Sequence, residues 1–329
     1  MNVVSLSDYL AQKIAAHDLP ASVADAIEGL SLAACSIAKL AATNGLASHL
    51  GNNLGSLSGG QNEDGDSQKQ LDVIADDLIC DALRAAQVGC YFSEEQSEPV
   101  HLHETAVVGV ACDPLDGSSN IDTNLTIGTI FSLFNMADCD NALPPKGRLQ
   151  LAAGFFVYGP QTALLLSFGD EVAAFALTDK GQFEALDWQV AIPQTSPEFA
   201  INASNAAFWP KPIQEYIYTQ SYGAGAASSG MRWLGSLVAD AFRIFRRGGV
   251  FLYPEDARKG YEAGRLRLIY EANPIAFLVE AAGGRASDGT SDILDIPPAQ
   301  LHQRVPLIFG SARCVDDIIN TIKTAQKGS

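Results

Sequence analysis

The spacing of apolar and polar positions predicts three stretches of different character along the chain. Apolar residues recur at helical spacing over 21–43 and 71–87, which predicts two amphipathic helices near the start. Short apolar segments bounded by turn residues then predict successive antiparallel strands at 127–136, 149–158, 163–168, 172–177 and 183–186. After the proline-containing segment 192–197, helical and strand patterns alternate. We therefore predict an α+β fold in two domains, an N-terminal domain over 1–195 and a C-terminal domain over 196–329.

The second half contains three local patterns that bear on function. The amphipathic stretch 231–246 predicts a helix with Leu234 on its inner face. A strand is predicted over 266–270, and the following Asn273-Pro274 is typical of a helix start, with Asn273 as the N-cap. Glu271 would then lie where that strand leads into the helix.

One acidic motif stands at the end of a predicted buried strand. The apolar run 107–112 leads directly into Asp113-Pro-Leu-Asp-Gly-Ser-Ser-Asn-Ile-Asp122. Its carboxylates Asp113 and Asp116 can hold a hard cation, and the backbone N–H groups of the Gly-Ser-Ser turn can bind an anionic oxygen. The motif therefore predicts a metal ion beside a phosphate.

Other acids permit two interpretations each. Asp72 begins the 71–87 helix, off its apolar face, where a carboxylate either complements the helix dipole or serves a site. Glu94 and Glu95 follow a short predicted strand at 88–92 and are either solvated surface residues or metal ligands. The glycine-rich segment 51–67 is either a disordered surface loop or a lid that carries Asp66 toward Asp72.

Composition narrows the choice of partners. The net charge of −17 argues against nucleic acid, whose phosphates require a basic surface. We find no signal peptide and no apolar run near membrane-spanning length, which favours a cytoplasmic protein without a membrane partner. The six cysteines are scattered, which favours free thiols over a zinc site.

The acids themselves indicate the metal and the reaction. An all-oxygen set of ligands selects Mg²⁺, with Mn²⁺ as a substitute, over zinc or copper. Several carboxylates together would place two or more such cations around one phosphate. These carboxylates belong to Glu94, Glu95, Asp113, Asp116 and Glu271. The chain lacks a P-loop pattern, so hydrolysis of a phosphoester is favoured over phosphoryl transfer from a nucleotide.

The acidic motif closely resembles that of the class I fructose-1,6-bisphosphatases, within the lithium-sensitive sugar and inositol phosphatase superfamily. The resemblance extends in order along the chain to the segments 70–76, 93–95, 127–131, 235–240, 248–254 and 268–274. It implies a layered αβαβα fold, a homotetramer and Mg²⁺-dependent hydrolysis of the 1-phosphate of D-fructose 1,6-bisphosphate. The N-terminal domain would bind the metal and carry the mobile loop, and the C-terminal domain would bind the sugar.

The resemblance also implies a role for each matching residue. Mg²⁺ would be held by Glu94, Glu95, Asp113, the carbonyl of Leu115, Asp116 and Glu271. The attacking water would be positioned and deprotonated by Glu95, helped by Asp72, with Asp66 nearby. The 1-phosphate would lie against Asp116, Gly117, Ser118 and Ser119. The 6-phosphate would be held by Asn202, Trp233, Tyr253, Arg265 and, from a neighbouring subunit, Arg232.

Departures from the family pattern leave alternatives open. Asn205 and Trp233 stand where the family often has tyrosines, and Arg265 replaces a lysine. The changes at Asn205 and Trp233 keep open a related activity on sedoheptulose 1,7-bisphosphate, as well or instead. A non-catalytic sugar-phosphate sensor would require the loss of a carboxylate, and every one is present. Val107-Val108 and Asn135 replace the residues that bind AMP in AMP-inhibited members, so we expect AMP to inhibit weakly or by another route.

Overall fold

Two main β-sheets, the larger of eight strands and the smaller of five, are separated by helices in the described part of the chain, which also contains two two-stranded ribbons. The computed structural model describes residues 4–44, 57–61, 67–140, 143–223 and 229–327. Its α-helices are α1 Leu6–His17, α2 Ala21–Asn44, α3 Gln70–Ala85, α4 Lys211–Tyr222, α5 Leu237–Arg247, α6 Asn273–Ala281 and α7 Ala312–Lys327. Its strands are β1 Leu57–Gln61, β2 Ser67–Lys69, β3 Cys90–Ser93, β4 Val100–His101, β5 Val108–Asp116, β6 Ile127–Asn135, β7 Gln150–Tyr158, β8 Thr162–Ser167, β9 Val172–Leu177, β10 Phe183–Ala185, β11 Glu198–Ile201, β12 Gly230–Met231, β13 Val250–Tyr253, β14 Leu266–Arg267, β15 Arg285–Ser287, β16 Arg304–Val305 and β17 Leu307–Gly310.

The larger sheet joins eight strands in the order β10-β9-β8-β7-β6-β5-β3-β4. Adjacent strands from β5 to β10 pair antiparallel, which confirms the predicted meander, whereas β3 and β5 pair parallel. The smaller sheet has five strands in the order β12-β11-β13-β17-β15. The larger sheet draws on residues 90–185 and the smaller on 198–310, and the domain boundary at 195 stays a prediction.

Successive side chains of each strand point to opposite faces of the larger sheet, and this alternation sets the order of the layers. In β7, Phe156 packs in a core shared with α1, α2 and α3, whereas its neighbour Phe155 packs on the opposite face with α5 and α6. Helices α5 and α6 also pack on the smaller sheet, whose other face is covered by α4 and α7. This order of layers confirms the expected αβαβα arrangement.

The helix predicted over 231–246 starts later than its pattern suggests. Residues 230–231 form β12, and α5 begins only after Ser236, whose hydroxyl caps the helix. Leu234, predicted to face inward, is 47% exposed. Gly235 has a φ of +73°, a left-handed conformation that interrupts a right-handed helix.

The strand predicted over 266–270 is wrong beyond its first two residues. After β14 the chain forms a π-helix at Leu268–Ala272 that leads directly into α6. The apolar residues of this π-helix are buried, which explains the apolar pattern without strand pairing. Asn273 has helical backbone angles, so its prediction as an N-cap is also wrong. Glu271 therefore lies inside a π-helical turn, a feature often found at functional sites.

The composition of α2 contradicts one expectation. Ala21–Thr43 is long enough and apolar enough to cross a membrane, with a mean hydropathy of 1.4, so the expectation that no run approaches that length is wrong. In the fold, Val23, Ile27, Leu30 and Ile37 of this helix are buried in the core beside the larger sheet. A buried core helix meets the same criteria of length and composition.

The glycine-rich segment 51–67 lies mostly outside the described residues. Where it is described, β1 pairs antiparallel with β2, so Leu57–Gln61 is a strand rather than the predicted loop. Asp66 lies outside the described residues, and the choice between a lid and a surface loop stays a prediction.

Candidate active site

A β-bulge turns Asp113 and Asp116 toward the same side of the larger sheet. Side chains three residues apart in a regular strand point to opposite faces. Asp113 is paired with Ile130 of β6, however, and Asp116 is paired with Gly128. Three steps along β5 therefore match two along β6, and the extra residue is a bulge. Ile130 packs with α5 and α6, so both carboxylates point toward that helical layer.

Parallel pairing of β3 with β5 brings the Glu94-Glu95 pair to the same edge of the sheet. Ser93 is in register with Cys112, and the backbone N–H of Glu94 donates to the Cys112 carbonyl at 3.1 Å. Because parallel strands run in the same direction, their carboxyl ends meet. Glu94 therefore lies beside Asp113.

Glu271 enters the site from the C-terminal half of the chain. Its carboxylate accepts a hydrogen bond from the backbone N–H of Arg267 at 2.5 Å. The buried guanidinium of Arg267 also lies 3.5 Å from the Glu94 carboxylate, measured from Nε to Oε1. Arg267 thus links Glu94 to Glu271. Arg267 is not among the residues predicted from the sequence, although its spacing of four from Glu271 is visible in the chain.

Asp116 is held at the N-terminus of α5. Its Oδ2 accepts hydrogen bonds from the Ser236 hydroxyl at 2.8 Å and the Val238 N–H at 2.9 Å, and its Oδ1 accepts from the Leu237 N–H at 3.3 Å. The first turn of a helix has N–H groups without partners inside the helix. Here a carboxylate from the other half of the chain satisfies two of them and joins the two halves at the site.

The turn after Asp116 is shaped by Gly117. This glycine has a φ of +76°, and the short 3₁₀ helix Ser118–Asn120 follows it. The Asn120 amide donates to the carbonyls of Leu234 and Gly235 at 3.4 Å, which ties the turn to the segment before α5. Ser119 is exposed, so the turn is accessible to a ligand.

The predicted metal ligands Asp113, Asp116 and Glu271 come together. One carboxylate oxygen from each lies within 4.8 Å of the other two, and all three residues are buried. Burial, and then the charge of Glu94, raise the pKa of Asp113 well above its ordinary value. Burial raises the pKa of Glu271 to about 7. Buried carboxylates that repel one another are stabilised by a divalent cation, so this donor set fits such an ion.

This cluster predicts that the metal-free protein loses stability as the pH rises. The pKa of Glu271 is raised from 4.5 to about 7 on folding, so the folded state keeps a proton that the unfolded state releases. The resulting stabilisation is complete below pH 4.5 and is lost as the pH rises through about 7. We expect the Tm in EDTA to fall between about pH 5 and about pH 8 by more than the Tm in excess MgCl₂. Differential scanning calorimetry measures both.

Glu271→Gln provides the control for this pH dependence. Glutamine has nearly the same shape as glutamate but does not titrate. The Tm of the variant in EDTA should therefore fall less over the same pH range than the Tm of the natural chain. Equal falls with and without MgCl₂ in the natural chain would contradict the prediction.

Asp72 lies on the buried face of α3, which corrects its predicted position off that face. It is 2% exposed and shares the face with Leu71, Ala75, Ile79 and Leu83. The charges of Asp72 and Glu95 both act on the pKa of Glu94, which places them beside the cluster. Asp76 is buried on the same face and was missed. Its spacing of four from Asp72, which predicts a shared helical face, could have identified it.

Residues expected at the second phosphate lie at the ends of two parallel strands. Asn202 directly follows β11, and Tyr253 ends its neighbour β13. The rings of Trp233 and Tyr253 are 5.7 Å apart, and the Arg265 guanidinium lies over the Tyr253 ring at 6.0 Å. Burial raises the pKa of Tyr253, with Arg265 opposing and Glu271 adding to the shift. The charges of Glu271 and Arg265 therefore act on Tyr253 in opposite directions.

Two further groups of expected residues lie apart from this cluster. Arg232 is exposed, and its guanidinium donates to the carbonyl of Met231 at 2.8 Å, so its role at a neighbouring subunit stays a prediction. Val108 is paired with Asn135, and Val107 is 49% exposed. These three residues lie at the other end of β5 from the acids, and weak inhibition by AMP stays a prediction.

Comparison with known proteins gives matches over almost the whole chain. Residues 13–187 match the family model described as "Fructose-1-6-bisphosphatase, N-terminal domain", and residues 192–323 match "Fructose-1-6-bisphosphatase, C-terminal domain". The class 1 fructose-1,6-bisphosphatase of Azorhizobium caulinodans is 49% identical over 320 residues, which cover 94% of this chain and 97% of that protein. The class 1 enzyme of Rhizobium meliloti is 47% identical over 323 residues, which cover 95% of this chain and 91% of that protein.

The structural comparison agrees with the sequence comparisons. The fold is similar to the crystal structure of Leishmania major fructose-1,6-bisphosphatase in holo form, with a TM-score of 0.89 and 29% identity. That match covers 98% of this chain and 100% of the other. The resemblance found in the sequence motifs is thereby confirmed. Since relatives near half identical cover almost its full length, the chain belongs to the class 1 fructose-1,6-bisphosphatase family.

Proposed function

We propose that this chain hydrolyses the 1-phosphate of D-fructose 1,6-bisphosphate to give fructose 6-phosphate and phosphate. The observation that carries the proposal is the buried cluster of Asp113, Asp116 and Glu271 in a chain of this family. The curated relatives compared above are named fructose-1,6-bisphosphatases, so activity on sedoheptulose 1,7-bisphosphate is not favoured. The complete set of carboxylates argues against a non-catalytic sensor.

Mg²⁺ is the cation that we propose for this site, with two or more ions per subunit and Mn²⁺ as a substitute. Its ligands would be the carboxylates of Glu94, Asp113, Asp116 and Glu271 and the carbonyl of Leu115, all of them the oxygen donors that Mg²⁺ prefers. When bound, Mg²⁺ supplies positive charge at the phosphate oxygens and at the leaving oxygen. Without a cation the acidic cluster would repel a phosphate.

Glu95 would accept the proton of the attacking water, with Asp72 orienting it, and Glu95 would also contact the metal. Two features support this assignment. Glu95 is half-buried at the edge of the cluster, and its charge acts on both Glu94 and Asp113. The charge of Asp72 also acts on Glu94, and Asp72 lies on the buried face of α3. Asp66 is proposed as a third participant, although it lies outside the described residues.

The two phosphates would be bound at opposite sides of the cluster. The turn Gly117-Ser118-Ser119 would bind the 1-phosphate through its backbone N–H groups. Arg265 and Tyr253 would bind the 6-phosphate, flanked by Asn202 and Trp233. A guanidinium has a planar pair of donors that matches a phosphate, so Arg265 is a suitable replacement for a lysine here.

We also propose a homotetramer in which Arg232 of one chain reaches the 6-phosphate site of a neighbour. In support, Arg232 is exposed and lies between Met231 and Leu234, apolar residues that are 45% and 47% exposed. Exposed apolar residues grouped on a surface are typical of protein interfaces. A cytoplasmic location and the lack of nucleic-acid and membrane partners are proposed as well.

The test of the proposed function is phosphate release from a panel of sugar bisphosphates and an inositol phosphate. We expect release from fructose 1,6-bisphosphate that requires Mg²⁺ and is abolished by EDTA. Glu95→Gln should lower kcat by about 100-fold to 10,000-fold, the range typical of a general base, with a smaller change in KM. Release that survives EDTA or the substitution would contradict the mechanism, and faster release from sedoheptulose 1,7-bisphosphate would contradict the substrate.

A further inference from the structure

One buried carboxylate near the site has no part in the roles proposed so far. Asp76 lies on α3, one helical turn after Asp72, and is 4% exposed. Its Oδ1 accepts hydrogen bonds from the Tyr91 hydroxyl at 2.7 Å and the Ser93 hydroxyl at 2.6 Å. Its Oδ2 accepts from the Gln96 amide at 2.5 Å. Each of these three donors belongs to β3 or to the turn that follows it.

Two of these contacts lie on either side of the Glu94-Glu95 pair. Ser93 immediately precedes the pair and Gln96 immediately follows it. The Ser93 Oγ also accepts a hydrogen bond from the backbone N–H of Glu95 at 3.1 Å. A continuous chain of hydrogen bonds therefore runs from the Asp76 carboxylate, through the Ser93 hydroxyl, to the peptide group of Glu95.

The Glu94-Glu95 pair needs such support because other acids surround it. The charges of Glu271, Glu95 and Asp116 all act on Glu94. Their repulsion favours movement of the turn away from the cluster. Hydrogen bonds to a buried carboxylate are among the stronger ones that a protein forms, and here they hold both ends of the turn.

We propose that Asp76 is a positioning residue, which orients Glu94 and Glu95 for cation binding and water activation through Ser93 and Gln96. This inference rests on the roles proposed above for the two glutamates. Ligands that are oriented in advance bind a cation more tightly, because the turn need not be ordered when the ion arrives. An Asp76 that served folding alone would act through Tyr91 as much as through Ser93.

Ser93→Ala and Tyr91→Phe are a matched pair that separates these two roles. Each removes one hydroxyl donor to the same oxygen of Asp76, but Ser93 alone carries the link to Glu95. We expect Ser93→Ala to raise the Mg²⁺ concentration for half-maximal activity by about 10-fold to 100-fold, with KM for fructose 1,6-bisphosphate changed far less. Tyr91→Phe should lower the Tm but leave Mg²⁺ activation within about twofold of the natural chain. Equal effects of the two variants on Mg²⁺ activation would overturn the proposal.

Substitution of Asp76 itself gives a second test. Asp76→Asn keeps an oxygen acceptor for Tyr91 and Ser93, and its amide can donate to Gln96 once the Gln96 amide turns over. We expect this variant to activate with Mg²⁺ at least about tenfold better than Asp76→Ala. Identical Mg²⁺ activation in the two variants would count against the proposal. If Asp76→Ala does not fold, the Ser93 and Tyr91 pair decides.

Glu95→Gln, measured in parallel, separates failure of this inference from failure of the proposed function. Loss of activity in Glu95→Gln together with natural Mg²⁺ activation in Ser93→Ala would contradict the positioning role alone. Full activity in Glu95→Gln would contradict the proposed mechanism itself.

Discussion

Asp113→Asn is expected to lower kcat by about 1,000-fold while raising the Tm of the metal-free protein. The side chain is buried and faces Asp116 and Glu271, so its charge is central to the cluster. A loss of about 4 kcal/mol of transition-state stabilisation corresponds to this factor, and a metal site supplies several kcal/mol. Asparagine keeps the shape and the acceptor for the Leu115 N–H, but it is neutral, so folding no longer has to bury or protonate an acid whose pKa is raised. Steady-state kinetics with Mg²⁺ titration and calorimetry in EDTA measure the two effects.

The opposite signs of these two effects make the prediction specific to a metal cluster. Asp138→Asn is the matched control, because Asp138 is an exposed carboxylate near the other end of β6. Its kcat should stay within about threefold of the natural value, as for an ordinary surface substitution. Retained activity in Asp113→Asn, or a lower Tm in EDTA, would argue against a cluster built to hold a cation.

Gly117→Ala is expected to lower kcat/KM by about 100-fold and to destabilise the protein by about 2–4 kcal/mol. Gly117 has a φ of +76°, and an added Cβ would lie 2.8 Å from the Cβ of Ser236. Movement of Ser236 would in turn disturb its hydrogen bond to Asp116. The substitution therefore strains the proposed phosphate-binding turn and also displaces a proposed metal ligand. Steady-state kinetics and the urea midpoint measure the two effects.

Gly181→Ala separates backbone strain from the contact with Ser236. Gly181 has a nearly identical φ of +74°, but an added Cβ would meet nothing within 4 Å among the residues that the structure describes. This control should lose only about 1 kcal/mol of stability and keep its activity. If both alanine variants behaved alike, the proposed coupling between the turn and Asp116 would be wrong.

The chemistry of the site was largely visible in the chain because its residues are grouped locally. Asp113 and Asp116 share one motif with the Gly117 turn, and Glu94 follows its own short strand. The apolar run that ends in the Asp113 motif indicated a site without any knowledge of the fold, whereas Glu94 and Glu95 by themselves were equally consistent with surface residues. The meander was equally readable, because antiparallel neighbours joined by short turns depend on local pattern alone.

Two of the errors have one common cause, which is that burial by distant elements changed a local pattern. Asp72 was placed off the buried face of α3, yet the cluster and the larger sheet bury it at 2% exposure. The apolar run after β14 suggested a strand, but it is buried as a π-helix instead. In both cases tertiary packing overrode the local preference. Leu234 is a different case: it fitted a helical spacing, but the local features Gly235 and the Ser236 cap exclude it from α5.

The sequence by itself determined the carboxylate character of the candidate site, the family and most of the order of helices and strands, because each depends on residue identity and near neighbours. The tertiary structure alone decided which acids meet. The bulge between Asp113 and Asp116 depends on pairing with β6, and the approach of Glu94 depends on parallel pairing with β5. Glu271 arrives from a segment far along the chain, and the three hydrogen bonds to Asp76 cross from α3 to β3 and to the turn that follows it. Such contacts are set by the packing of whole layers, which local spacing does not specify.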